Sequence, residues 1–322
     1  MSSMAKWRAD VRHELTSGFR SDLAQTAKGW RWGRRPMVPR SAEQHTPGRE
    51  QTLFPSAWSR TLPAAIAREA LQKGALEPAL RHSVDVQVHG RDVLTQLNQP
   101  VVLVANHSSH LDTPLILCTL PDQMRRRTAV AAAADYFFDT WWRATSSCLV
   151  FNVFPIERRS GALSAKPADL LKDGWNMLIF PEGTRSVDGW GTPFKLAPAF
   201  IAFHAGVPVL PISIRGSFAA MPRGRNWPVP GKRPVSVRYG DPLTPNEGES
   251  VREFGPRVEA AVAQLADEDR TTWWSATQRA ASGATPTLAG PPASSWRRRW
   301  AVTEIPEVPG AGRRKKVWSD TF

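Results

Sequence analysis

The sequence predicts an α/β fold: a central mixed, largely parallel sheet flanked by helices, with irregular basic N- and C-terminal extensions. Three observations carry that prediction. Short β-like runs alternate with helical patterns over roughly residues 80–270, the ordering that builds a sheet with helical crossovers. One run, Val101–Ala105, is apolar throughout, as an interior strand covered on both faces is. The charge lies mostly outside this region. Of a formal net charge of +13, residues 1–60 carry 11 Lys/Arg against 5 Asp/Glu, residues 283–322 carry 7 against 3, and the stretch between is nearly balanced. The expected organisation is a basic, Trp-rich arm (1–60), an α/β domain (61–272) and a low-complexity basic tail (273–322).

The arm interleaves Trp7, Trp30, Trp32 and Trp58 with arginines, and Pro36, Pro39, Pro47 and Pro55 break any long helix. From Leu62 to Arg81, Ile66, Ala70, Leu71, Leu76 and Leu80 recur at roughly helical spacing, weakened in the second half by Gly74 and Pro78. Val84–Val88 alternates as a half-buried strand does. Thr128–Ala134, Val153–Ile156, Met177–Phe180, Pro208–Ile214 and Val235–Tyr239 are the further strands expected after Val101–Ala105. Thr113–Leu120, Tyr136–Ser146, Gly161–Lys172, Leu196–His204 and Val251–Ala266 are the expected helices. The last shows the clearest single face, in Val251, Phe254, Val258, Val262 and Leu265. Residues 275–322, rich in Ser, Ala, Pro, Gly and Arg, are expected to lack fixed structure in the free state.

Composition narrows the function classes. Cys118 and Cys148 have neither paired nor metal-like spacing, which argues against a disulfide framework or a metal site and for a reducing cytoplasm. The N-terminus lacks the apolar run of a signal peptide, and no stretch of about 18 apolar residues occurs, so no spanning helix is expected. The basic flanks favour an anionic partner. No nucleic-acid-binding motif accompanies them, so the expected partner is an anionic membrane surface, contacted peripherally from the inner face of the cell membrane. No nucleic acid is expected.

Two clusters carry chemistry. Asn106-His107-Ser108-Ser109-His110-Leu111-Asp112 follows the Val101–Ala105 strand, where ligand crevices form in α/β sheets. Asp112-Thr113-Pro114 reads as a helix start, so the chain turns sharply and can return a carboxylate to an imidazole. A His held by an Asp suits a general base for a hydroxyl nucleophile. On spacing alone His107 and His110 are equal candidates, and Ser108 or Ser109 is open as a nucleophile. The second cluster, Phe180-Pro181-Glu182-Gly183-Thr184-Arg185-Ser186, follows another strand. Gly183 permits close backbone approach to a ligand, and Arg185 offers a planar charged fork to phosphate. Arg158 and Arg159 follow a third strand in Phe154-Pro155-Ile156-Glu157.

The order and spacing of these pieces resemble the glycerolipid acyltransferase family, typified by 1-acylglycerol-3-phosphate acyltransferases, over roughly Val84 to Leu243. Asn106, His107 and Asp112 match its Asn-His-x-x-x-x-Asp block. Phe154, Ile156 and Arg158 match a Phe-x-Ile-x-Arg-like block, residues 180–186 match Phe-Pro-Glu-Gly-Thr-Arg-Ser in full, and Val207, Pro208 and Pro211 match a late Val-Pro-x-x-Pro block. The resemblance implies His107 as general base, Asp112 as its orienter, and Arg158, Glu182, Gly183, Thr184 and Arg185 as the acceptor-binding set. It implies direct attack on a thioester without an acyl-enzyme, and neither metal nor cofactor beyond acyl-CoA or acyl-carrier protein as co-substrate. The implied acceptor is lysophosphatidate or a related lyso-glycerophospholipid. Two departures stand out: Phe151-Asn152 where the family has a Gly before the second block, and Leu196-Ala197 after Phe194-Lys195 where it has x-Gly. The alternative readings are a serine-dependent lipid hydrolase, although no Gly-x-Ser-x-Gly elbow is present, or an acyltransferase acting on a different polar-lipid acceptor.

Overall fold

The computed structural model describes residues 56–133, 141–156 and 166–303. Seven strands form one sheet: β1 Val84–His89, β2 Val102–Ala105, β3 Thr128–Ala133, β4 Val153–Ile156, β5 Asn176–Ile179, β6 Val209–Arg215 and β7 Arg233–Tyr239. Their spatial order is β1-β7-β6-β2-β5-β3-β4. Every neighbouring pair is parallel except β6 with β7. The sheet is thus a five-stranded parallel block joined to a parallel β1–β7 pair through one antiparallel seam. Each strand expected from the sequence is present, shifted by at most two residues at an end.

The apolar run explains the layering. Side chains alternate across a strand, so Leu103 and Ala105 face one layer and Val102 and Val104 the other, all fully buried. On the first face lie helices α1 Leu62–Leu71, α2 Glu77–Ser83, α3 Asp112–Thr119 and α4 Asp122–Arg126, with α5 Trp141–Phe151 beside α1 and α3. Leu80, Leu115, Ile116 and Leu117 carry this contact. On the second face lie α6 Lys166–Lys172, α7 Ala197–Ala205 and, beyond the short α8 Ser217–Ala220, the long α9 Val251–Arg270. Phe254, Val258, Val262 and Leu265 of α9 are buried, as its periodicity predicts. A capping box opens this helix: Glu253 accepts from the Ser250 backbone while Ser250 caps the Glu253 N–H.

Three differences from the sequence reading have physical causes. The Leu62–Arg81 helix is continuous only because a π-helical turn, Gln72–Leu76, takes up the weak Gly74 region. That turn aims Gln72 at the Val150 carbonyl (2.7 Å), while Arg68 donates to the Leu149 carbonyl (3.0 Å), so two buried polar side chains satisfy the C-terminal end of α5. Residues 136–140 of the helix expected at Tyr136–Ser146 lie outside the described residues, and the described helix, Trp141–Phe151, runs five residues past the expected end, to the start of β4. Finally, the stretch read as an irregular tail contains α10 Trp273–Ala281 and α11 Ser295–Thr303. Their support is tertiary. Arg279 of α10 donates twice to buried Asp267 (2.7 and 2.9 Å), and Arg298 of α11 pairs with Asp188 at 2.5 Å.

Candidate active site

The parallel block places the C-terminal ends of β2, β3, β4 and β5 on one edge of the sheet, and the two chemical clusters meet there. β2 and β5 are direct neighbours, with Val104 opposite Ile179. The loops that follow them are stitched together through the backbone of His107. Its N–H donates to Glu182 Oε1 at 2.8 Å, and its carbonyl accepts from the Ser186 N–H at 2.9 Å. Asn106 locks the adjoining edge: its side-chain amide donates to and accepts from Ile214 of β6, both at 2.8 Å.

His107 Nδ1 lies 2.9 Å from Asp112 Oδ2. The same carboxylate oxygen accepts from the backbone N–H groups of Ser108 (2.7 Å) and Ser109 (2.8 Å). Asp112 is fully buried at the first turn of α3. The tight turn that the sequence implied therefore wraps three donors around one oxygen and fixes the imidazole by its Nδ1 side. Phe180 stacks on the ring, centroids 4.1 Å apart and planes 22° apart. With Nδ1 committed to Asp112, Nε2 is the nitrogen left for proton transfer. His110 does not share the carboxylate. Burial, then the neighbouring Arg185 and His107, push it down to about 4, so it is neutral at neutral pH.

A cavity of about 380 Å³ opens beside His107. Its floor is apolar, from Val130, Ala131, Phe151, Val153, Ile156 and Ile201, and its polar lining includes His107, His110, Thr184, Arg185, Lys195 and Arg223. Gly183 also lines it, at φ +73°, and a Cβ there would stand 2.8 Å from Lys195 Nζ. Glycine at this point thus lets the ammonium settle over the turn. Arg223 arrives from the loop after α8 and donates to the Arg185 carbonyl at 3.3 Å.

The structure sorts the expected site residues. His107, Asp112, Gly183, Thr184 and Arg185 converge. Glu182 does not face the cavity, contrary to its place in the expected acceptor-binding set. It is buried, with Oε1 on the His107 N–H and Oε2 on the Thr192 N–H (3.1 Å), and burial pushes its carboxyl up to about 7. It clamps the loops. Arg158 lies outside the described residues. Lys195, Arg223 and Phe180 are added by the structure. Lys195 lies nine residues past the motif, in the Phe194-Lys195 pair already matched to the family though given no role there, and Arg223 comes from a distant loop with no local signal. Ser108 and Ser109 are buried and engaged elsewhere: Ser108 Oγ with Ser217 Oγ (2.9 Å), and Ser109 Oγ donating to the Met221 carbonyl (2.8 Å). Neither lines the cavity, which removes the geometry a serine hydrolase needs.

Asn152, where the family has glycine nearby, adopts φ +53°. It is fully buried, donates to the Thr128 carbonyl (3.1 Å) and accepts from Ser59 Oγ (2.9 Å). Asparagine tolerates this left-handed conformation better than other side chains, and here its amide is tied at both ends.

The Acyltransferase family model matches residues 85–215, the span that carries β1 through β6 and both clusters. Over this span the chain is similar to the acyltransferase family. Among curated relatives, a 1-acyl-sn-glycerol-3-phosphate acyltransferase of Chlamydomonas reinhardtii is 32% identical over 166 residues, 50% of this chain and 48% of that protein. A chloroplastic enzyme of the same name from Brassica napus is 33% identical over 144 residues, 44% and 40% of the two chains. The chain spans about half the length of the curated relatives it matches. A solved 1-acyl-sn-glycerophosphate acyltransferase from Thermotoga maritima aligns with 28% identity and a TM-score of 0.49, over 64% of this chain and 84% of that one.

Proposed function

We propose that this chain is an acyltransferase that moves a fatty acyl group from acyl-CoA or acyl-carrier protein to the free hydroxyl of lysophosphatidate or a related lyso-glycerophospholipid, a step of phospholipid synthesis. The observation that carries the reading is one cavity holding a carboxylate-oriented imidazole, cationic side chains and an apolar floor. An amphiphile with a phosphate and an acyl chain matches that polarity. The names of the curated relatives point to the same acceptor.

In this mechanism His107 Nε2 accepts the proton of the acceptor hydroxyl as its oxygen attacks the thioester carbonyl carbon. Asp112 holds the tautomer and stabilises the imidazolium. The tetrahedral intermediate collapses with loss of the C–S bond, and the proton on Nε2 passes to the departing thiolate. No bond to the enzyme forms. Arg185, Lys195 and Arg223 neutralise the acceptor phosphate and fix the hydroxyl near Nε2, while Gly183 and Thr184 form the turn beneath it. Arg158 is assigned to the same phosphate from its motif position. The reaction takes place with the chain held peripherally on the inner face of the cell membrane, its basic flanks on anionic lipid. Among the described residues no helix is long and apolar enough to cross a bilayer.

Labelled acyl-CoA incubated with a panel of acceptors tests this: lysophosphatidate, glycerol 3-phosphate, lysophosphatidylcholine and monoacylglycerol. Transfer is expected to be fastest to lysophosphatidate. Absence of transfer to every phosphate-bearing acceptor overturns the reading.

A further inference from the structure

We propose that α11 is a docking helix for an anionic bilayer surface, held rigidly against the active-site loop. Its nine residues, Ser295–Thr303, contain three arginines and two tryptophans and no acid. At about 100° per residue, Trp296 and Trp300 share one stripe. Arg297 and Arg299 then fall to either side of it, and Arg298 falls on the opposite face. The structure has this arrangement. Trp296 and Trp300 are 65% and 62% exposed, and Arg297 and Arg299 are also exposed. Arg298 turns inward, to Asp188 Oδ2 at 2.5 Å.

An exposed aromatic centre flanked on both sides by guanidinium groups suits a lipid headgroup region. Indole rings partition to the interface, and arginines meet lipid phosphates there. Exposure of two tryptophans on one short helix is otherwise unfavourable, because each leaves a large apolar face in water. The charge of the whole chain, +13, favours the same occupant.

The inward face ties this helix to the site. Trp190 Nε1 donates to the Arg298 carbonyl at 2.9 Å, and a Cβ on Gly189 would stand 2.4 Å from a Val302 methyl. Loop 186–191 begins with Ser186, whose N–H donates to the His107 carbonyl. The anchor is thus two short links from the proposed base. The inference deepens the proposed function by naming the surface that brings a bilayer-borne acceptor to the cavity, and it rests on that reading only for its purpose.

The test uses the full chain and vesicles of phosphatidylcholine, alone or doped with phosphatidylglycerol. Three proteins are compared: wild type, Trp296→Ser/Trp300→Ser and Arg297→Gln/Arg299→Gln. Each protein is also assayed for transfer to a short-chain, monomerically dispersed lysophosphatidate. Wild type is expected to sediment with the doped vesicles, and added salt to weaken that binding. The tryptophan pair should lower partitioning at least about tenfold, and the arginine pair about thirtyfold at low salt. Soluble-acceptor transfer should be unchanged in both variants. Docking is overturned if both variants partition as wild type does, if both lose soluble transfer, or if a DNA duplex captures wild type more tightly than the doped vesicles. Vesicle binding by a wild type that acylates no acceptor would sink the activity and leave the docking helix standing.

Discussion

Asp112 Oδ2 accepts three hydrogen bonds, and that arrangement decides what different substitutions there do. Asparagine can keep its carbonyl oxygen toward His107 and the two backbone donors, but its NH₂ then takes the place of Oδ1, which is buried with no hydrogen-bond partner among the described residues, so Asp112→Asn should lose about 1–3 kcal/mol of stability along with the charge that stabilises an imidazolium. Alanine strands two buried N–H groups, each at about 1–3 kcal/mol, so Asp112→Ala should unfold at clearly lower denaturant concentration. Urea titration of the two variants separates the effects. Glu182 gives a pH prediction. Its carboxyl, raised to about 7 by burial, holds its proton more tightly in the folded chain than in the unfolded one. That contribution to stability is fully present below the unfolded value of 4.5 and is lost as pH rises through about 7. Glu182→Gln should flatten the melting-temperature profile across this window. It should also weaken the loop clamp, because the amide NH₂ opposes the Thr192 N–H. Lys195→Ala removes one cation from the cavity. The KM for lysophosphatidate should rise about tenfold or more, with little change for an acceptor lacking phosphate. Equal effects on both acceptors would show that Lys195 does not read the phosphate.

At the scale of elements, the strands and the central helices were legible because their signals are local. Val101–Ala105 announces an interior strand by its unbroken apolarity, and α9 announces its buried face by spacing. The Ser250/Glu253 capping box belongs with these. Ser250→Ala should cost about 1 kcal/mol, lowering the melting temperature by roughly 2–4 °C in a domain of this size, as calorimetry can measure. The elements that escaped the sequence reading depend on distant partners. α10 and α11 read as tail because Arg279 and Arg298 look like solvated charge until Asp267 and Asp188 are placed beside them. The π-helical turn at Gln72–Leu76 escaped for the same reason. Its purpose, aiming Gln72 at the end of α5, exists only after the chain has folded.

In the molecule as a whole, the site is a consequence of sheet order. His107 and Arg185 are 78 residues apart in sequence, and their loops are adjacent only because β2 and β5 pair in parallel. Motif order singled out both loops. It did not reveal that Glu182 faces away from the cavity, that Phe180 stacks on His107, or that Arg223 reaches in from beyond β6. Those facts require the register of the sheet. The pairing of His107 with Asp112 is local, made by the tight turn after β2, whereas the two serine hydroxyls are buried by distant chain, against the α8 region on Ser217 and Met221.

The most direct test of this account is single-turnover acyl transfer from labelled acyl-CoA to lysophosphatidate by wild type, His107→Ala, Asp112→Asn and Ser108→Ala/Ser109→Ala, each quenched in acid and checked for label on the protein. The account predicts a loss of about 10²–10⁴ in rate for the His107 and Asp112 variants. The serine variant should retain most of its activity per folded molecule, and no protein should carry label. A labelled acyl-serine in wild type, or near-normal transfer by His107→Ala, would contradict it.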